Sequence, residues 1–349
     1  MHTDANALDP VATCGCLITH MSRKLINEPE DVVSESLEGL ALAFPDLLRI
    51  HYAPHFVCRA DAPIRNKVVL VSGSGSGHEP LNTGYVGRGM LDAACPGGIF
   101  TSPTPDQYLA ALNAVYGGAG AIFFIKNFAG GVLNMSMALD MARDEGYEVM
   151  SVLINDDVAM DDPEKRRGLG ATVLAEKLAG AAAEQGRSLA EVTVIAQQVI
   201  AESRSMGAAL SSCTVPTIGR PIYQLPNGQM ELGVGMHGER GRQRLAYTDA
   251  DQLTDLLAAP VVEDLDLNAG DEVLAVVSGL GGTPQQELYI VFRRLYRFLE
   301  ARGIKVTRRL VGNYITSLDA AGCAITLLRL TPELTALWDA PVCTPTLRW

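Results

Sequence analysis

Two of the chain's six histidines lie among glycines, and they carry most of its chemical promise. His78 closes the run Ser72-Gly73-Ser74-Gly75-Ser76-Gly77, and His237 sits in Gly233-Val234-Gly235-Met236-His237-Gly238-Glu239. Small neighbours leave an imidazole accessible, which suits a nucleophile or an acid–base group; the plainer alternative for His237 is a turn cap. Glycine lets backbone N–H groups approach a ligand oxygen. The run before His78, with Gly75 and Gly77 in it, therefore reads either as an anion or hydroxyl cradle or as a tight strand-to-helix turn. It is not a nucleotide loop, because no Gly-Lys-Ser/Thr follows and His78 stands in place of the third glycine of a dinucleotide fingerprint. His51 and His55 flank Pro54 and read as structural, and no histidine spacing suits a metal.

Two further polar groups follow apolar runs. Lys126-Asn127 come after 119–125 and Asp156-Asp157 after 148–154, positions where strand ends face a ligand crevice in α/β sheets. The acid pair either binds a substrate hydroxyl, through Asp156 for instance, or caps the next turn.

These groups need a scaffold. Segments 67–71, 119–125 and 148–154 are short β-branched or apolar runs that predict buried strands, and the helical spacing of 133–145 ends at Gly146. Strand, helix, strand at this spacing implies parallel pairing with helices on the faces. Helices are expected over 27–44, with Pro29 and acids at its start, over 172–185, stopped by Gly186, and over 189–210. A turn-rich stretch, 213–238, then marks a junction near 205–213. The second half repeats the logic: strand 272–277 enters Ser278-Gly279-Leu280-Gly281-Gly282, followed by helix 285–302, strand 305–311 and an apolar stretch 324–330. The expected organisation is two α/β domains, each with a largely parallel or mixed sheet flanked by helices. They span 21–206 and 207–349, behind an N-terminal extension at 1–20 that reads as flexible.

Composition limits the partners. A length of 349 residues with 48% apolar and 19% charged residues suits two compact units rather than a disordered chain. The 28 basic and 40 acidic residues give a net charge of −12 without a basic block, which argues against nucleic acid or an anionic membrane. No apolar run approaches the roughly 20 residues that span a bilayer. The first twenty residues lack Lys and Arg, unlike a signal peptide, and Met21 offers a cleaner start. The seven scattered cysteines fit a reducing cytoplasm better than a disulfide framework, and Cys14 and Cys16 alone are a weak metal signal.

Several separated blocks, in order, bear a family likeness: Arg59-Ala60-Asp61-Ala62-Pro63, Ser76-Gly77-His78-Glu79-Pro80, Ala94-Cys95-Pro96-Gly97, 99–106, Lys126-Asn127, Asp156-Asp157-Val158-Ala159, Arg166-Arg167-Gly168, 233–239, Thr316-Ser317-Leu318-Asp319 and 337–342. From about Lys24 to Trp349 the chain resembles the substrate-binding K subunit of dihydroxyacetone kinases. The resemblance implies a two-domain α/β subunit, usually a homodimer. It implies that His237 forms a covalent hemiaminal with a ketose carbonyl and that His78 hydrogen-bonds the substrate and moves protons. The backbone at Gly75 and the Lys126 side chain would hold hydroxyls. The phosphoryl group would come from a separate helical subunit that carries the nucleotide (ATP or ADP) and Mg²⁺, so no cofactor is expected on this chain.

One departure stands out. After Lys126-Asn127 the family pattern runs aromatic, small, Gly, Asp, with the Asp acting on the phosphorylated hydroxyl; here Phe128-Ala129-Gly130 is followed by Gly131. The leading expectation is a kinase subunit for dihydroxyacetone or a tetrulose, with Gly131 lining an enlarged pocket. The alternatives are a ketose sensor that regulates another protein and, less favoured, a ketose isomerase using His78 and His237.

Overall fold

The computed structural model describes residues 24–349, so the 1–20 extension, Cys14 and Cys16 lie outside the described residues. The first sheet is six-stranded, in the order β1 (Leu48–Tyr52), β2 (His55–Arg59), β4 (Ala93–Ile99), β3 (Val69–Ser76), β5 (Ala121–Lys126), β6 (Val149–Ile154). Its β4-β3-β5-β6 portion is parallel, and β1 and β2 add an antiparallel edge. The second sheet is also six-stranded: β11 (Lys305–Gly312), β10 (Glu272–Gly279), β12 (Gly322–Arg329), β7 (Ser203–Ala209), β8 (Gln229–Leu232), β9 (Gln243–Ala246). Here only β10 and β11 are parallel.

Side-chain alternation along the strands builds the layers. Val69 and Val71 of β3 join one core with α2 (Pro105–Val115) and α3 (Ala129–Asp144). Leu70, between them, points to the opposite face and packs with α4 (Ala171–Glu184) and α5 (Leu189–Ala201). On β10, Leu274 and Val276 enter that same middle core, while Val273, Ala275 and Val277 pack under α6 (Ala250–Asp264) and α7 (Gln285–Glu300). The two α/β units thus share a helical layer, joined by α1 (Val32–Ala43) and α8 (Pro332–Asp339). At its centre α4 is buried from Ala171 to Ala183, lanes of Ala and Gly letting it sit between sheets.

Four expectations change. The Ser-Gly run is not a loop: Ser72–Ser76 continue β3, paired with β4 through Gly73–Cys95 and Gly75–Gly97. Its glycines serve close packing, since a Cβ at Gly73 would stand 2.6 Å from the Tyr108 ring and one at Gly75 2.5 Å from the Thr101 nitrogen. The helix expected over 189–210 stops at Ala201, and Ser203–Ala209 is β7 of the second sheet. A boundary at 206/207 therefore falls inside a strand, and by sheet membership the first unit ends at Glu202. Pro29 precedes α1, which starts at Val32 behind Asp31. Among the described residues no helix is long and apolar enough to cross a membrane.

Candidate functional site

The carboxyl ends of β3 and β5, the first turn of α3 and the 233–239 loop meet at one cleft. It is lined by Gly73, Ser74, Gly75, Lys126, Phe128, Gly131 and His237, and opens outward past Phe100, Ser102, Asn134 and Glu239. The sequence candidates Gly75, Lys126, Gly131 and His237 thus share one lining, with His78 just behind them.

His237 is half-buried, its ring edge-on to Phe128 at 4.3 Å and to His78 at 4.7 Å between centroids. Burial pulls its pKa down; Glu239 opposes this, and Lys126 and Arg167 add to it. The imidazole is therefore neutral around pH 7, with a nitrogen lone pair free to attack. The loop is held from below: the His237 backbone N–H donates to Glu239 Oε2 at 2.8 Å, and Arg167 Nη1 donates to Glu239 Oε1 at 3.0 Å. Arg167 also donates through Nε to Asp157 Oδ2 and through Nη2 to the Gly233 carbonyl, each at 2.7 Å. Gly238 carries a φ of +70° and faces Cys213 so closely that no side chain fits there.

His78 is wholly buried, stacked on Phe100 at 4.9 Å. Its Nδ1 lies 2.9 Å from the Thr316 carbonyl, which only accepts, so Nδ1 carries the proton and Nε2 is left as a lone-pair acceptor. No partner among the described residues reaches Nε2. Burial, then the charges of His237 and Lys126, lower the pKa to about 3. Such a ring is neutral, and a weak base.

Lys126, buried at the end of β5, donates to Asn82 Oδ1 at 3.1 Å and Ser72 Oγ at 3.4 Å. Asn82 in turn donates to Ser74 Oγ at 2.8 Å, so the lysine is braced on β3 beside the cleft.

Two candidates are placed elsewhere. Gly77 does not line the cleft: its φ is +103°, its N–H donates to the Glu79 carboxylate, and its carbonyl accepts from Leu318 N–H at 2.8 Å. It ties the His78 segment to the second unit. Asp156 also lies off the cleft, accepting from the Leu169 and Ala171 N–H groups at 2.7 and 2.9 Å and from Ser205 Oγ. It caps the start of α4, an ordinary use of a carboxylate at a helix N-terminus. Of the acid pair, neither member reaches the cleft; Asp157 serves the His237 loop through Arg167.

Sequence reasoning gave no role to Ser72, Asn82, Phe100, Ser102 and Phe128, which complete the walls. Phe100 and Ser102 fall in the 99–106 block and Phe128 is the aromatic after Lys126-Asn127, whereas Ser72 and Asn82 were signalled only by nearness in the chain to the glycine run. Among the described residues no group of three His, Cys, Asp or Glu side chains could hold a metal ion.

Against known proteins, the Dak1 domain model matches residues 38–346. The chain is 44% identical over 354 residues to the dihydroxyacetone-binding subunit DhaK of the PEP-dependent dihydroxyacetone kinase of Escherichia coli K12, covering 94% of this chain and 99% of that one. Among solved structures, the native dihydroxyacetone kinase of C. freundii superposes with a TM-score of 0.85 at 32% identity, covering 93% of this chain and 60% of that longer one. The dihydroxyacetone kinase operon co-activator DhaQ superposes with a TM-score of 0.84 at 30% identity, covering 91% of this chain and 98% of that one.

Proposed function

The chain belongs to the Dak1-domain family, and from that premise we propose that it is the ketose-binding subunit of a dihydroxyacetone-type kinase. The observation that carries this reading is the neutral His237 imidazole, held in one cleft with the Lys126 ammonium. A ring nitrogen of His237 adds to the ketose carbonyl carbon, and the carbonyl π pair moves to oxygen. That oxygen takes a proton while the other ring nitrogen releases one, giving a neutral hemiaminal. A polyol such as glycerol has no carbonyl to trap, so the covalent step selects ketoses. Lys126 and the Gly75 backbone hold hydroxyls, and Phe128 and Phe100 pack the sugar and histidine in place.

The bound ketose then presents a terminal hydroxyl toward the open side of the cleft. A nucleotide-bearing partner subunit, with Mg²⁺, supplies the phosphoryl group in line with it. His78 Nε2 is the acceptor this chain offers for the departing proton. Gly131, which widens the cleft where a carboxylate is expected, supports a tetrulose as a substrate beside dihydroxyacetone. The chain works in the cytoplasm as a homodimer; the exposed apolar stripe Leu133, Met137, Met141 on α3 supports self-association.

Intact-protein mass spectrometry with dihydroxyacetone and erythrulose tests the binding step. The expected result is a one-ketose mass increase on the wild-type chain, absent from His237→Ala. An unmodified wild-type chain, or an adduct that survives His237→Ala, overturns it. Turnover on adding a nucleotide-bearing partner then separates the kinase from a ketose sensor.

A further inference from the structure

We propose that Glu176, buried behind the cleft on α4, is a positioning residue that keeps Lys126 protonated and so keeps a hydrogen-bond donor aimed at the ketose. This rests on the ketose-binding reading of the same cleft.

Glu176 is completely buried between the sheets, and no hydrogen bond of ordinary geometry reaches either carboxylate oxygen. Thr172, one turn earlier on the same helix face, is buried with its hydroxyl equally unpartnered. The groups that favour a charge on Glu176 are Lys126 first and then the Ser72 hydroxyl, the same hydroxyl that Lys126 contacts at 3.4 Å. By strand alternation Ser72, in step with Leu70, and Lys126, in step with Ile122 and Phe124, point to the α4 side of the sheet, the side on which Glu176 is buried.

Charge accounting makes the pairing necessary. A lone ammonium or carboxylate this deep would lose most of its hydration and shed its charge instead. Burial lowers the proton affinity of Lys126 and raises that of Glu176; each is the one charged group that pulls the other back. The remaining titratable neighbours do not supply a substitute. Tyr85 faces Glu176 but spends its hydroxyl on the Tyr314 carbonyl, and Tyr314 carries no charge there. His78 and His237 are kept neutral first by burial, and both also feel Lys126 as a cation that lowers their proton affinity. Glu176 thus acts on the cleft through Lys126 without touching substrate.

The sign follows. Replacing Glu176 by Gln removes the negative charge that favours Lys126-NH₃⁺, so the lysine loses its proton at lower pH. The donor to the ketose oxygens then disappears within the working range, and the alkaline limb of adduct formation moves toward acid.

Imidazole NMR of the ketose-free full chain reads this directly, because His78 and His237 report the lysine charge. In the wild type the rings should show an alkaline inflection that Lys126→Met abolishes. Glu176→Gln should move that inflection down by about one pH unit or more, a tenfold loss of proton affinity. The alkaline limb of dihydroxyacetone adduct formation should follow it, and Glu176→Asp should restore part of the shift. An inflection unmoved in Glu176→Gln overturns the proposal, even if that variant is less stable. Should the wild type take no ketose, the binding reading fails while the imidazole titration still decides this one. If Glu176→Gln does not fold, the double variant Lys126→Met/Glu176→Gln is compared with Lys126→Met alone. Recovery of stability in the double variant supports the pairing, and a double variant less stable than Lys126→Met refutes it.

Discussion

Gly131→Asp should raise phosphorylation of dihydroxyacetone steeply in the presence of a nucleotide-bearing partner. The position tolerates the change: a Cβ at Gly131 would meet the Lys126 carbonyl oxygen at 3.5 Å and Ser102 Oγ at 3.9 Å, both ordinary contacts. The residue lies in the first turn of α3, where an acid is favoured by about 0.3–1 kcal/mol and any side chain is a better helix former than glycine. Folding should therefore be unharmed. The chemical effect is larger. His78, the proton acceptor in the proposed reaction, has its pKa lowered by burial to about 3, which makes it a poor base at neutral pH. A positioned carboxylate contributes about 10²–10⁴ in rate as a general base, about 3–5 kcal/mol of barrier. It would also raise the proton affinity of the neighbouring imidazoles. The assay is steady-state turnover against ketose concentration, with the His237 adduct followed by mass in parallel. The gain should fall in kcat, and adduct formation should change little, since burial still favours the neutral His237 ring. Turnover within a few-fold of wild type, with the adduct intact, would refute the argument that a missing base limits this cleft.

Two further outcomes concern stability. His78 has a folded-state pKa far below its ordinary 6.5, so the folded chain binds fewer protons than the unfolded one between about 3 and 6.5. Stability is then full above that window and falls with acidification through it, with a slope approaching about 1.4 kcal/mol per pH unit from this group alone. Urea unfolding of wild type and His78→Gln across that window should show the shallower pH dependence in the variant; parallel curves would contradict the burial argument. Asp156→Ala should cost about 2–4 kcal/mol by uncapping α4, measured by chemical denaturation, yet leave the ketose adduct in place at permissive temperature. Loss of the adduct in a folded Asp156→Ala chain would return Asp156 to the cleft.

Much of the framework was legible because burial on both faces writes apolar runs. The cores of β3, β5, β6, β10 and β11, and the stops at Gly146 and Gly186, follow from run length and glycine placement alone. The strand Ser203–Ala209 was not, because Ser, Met, Gly and Ala carry no β signature and continue the periodicity of α5. It became a strand through pairing with β12, a partner more than a hundred residues away. The Ser-Gly continuation of β3 was hidden for a different reason. Glycine signals backbone freedom in sequence, whereas here it makes room for Tyr108 and the 100–101 backbone.

The acid pair shows where a pattern argument stops short. Asp156 and Asp157 follow a strand end, which by position points them at a crevice. Consecutive residues in extended chain diverge to opposite sides, so at most one of the two could have faced a ligand. Deciding which requires knowing what else competes for each carboxylate, and the competitors are remote in sequence. The unsatisfied N–H groups at the start of α4 claim Asp156, and Arg167 claims Asp157. The same reasoning applied to Glu176 gives the opposite result. It sits mid-helix in an Ala-rich segment where sequence offers no reason to single it out, and no backbone donor competes for it. A buried carboxylate left free in that way keeps its charge only near a buried cation, and the proposed cation is Lys126, whose strand faces α4.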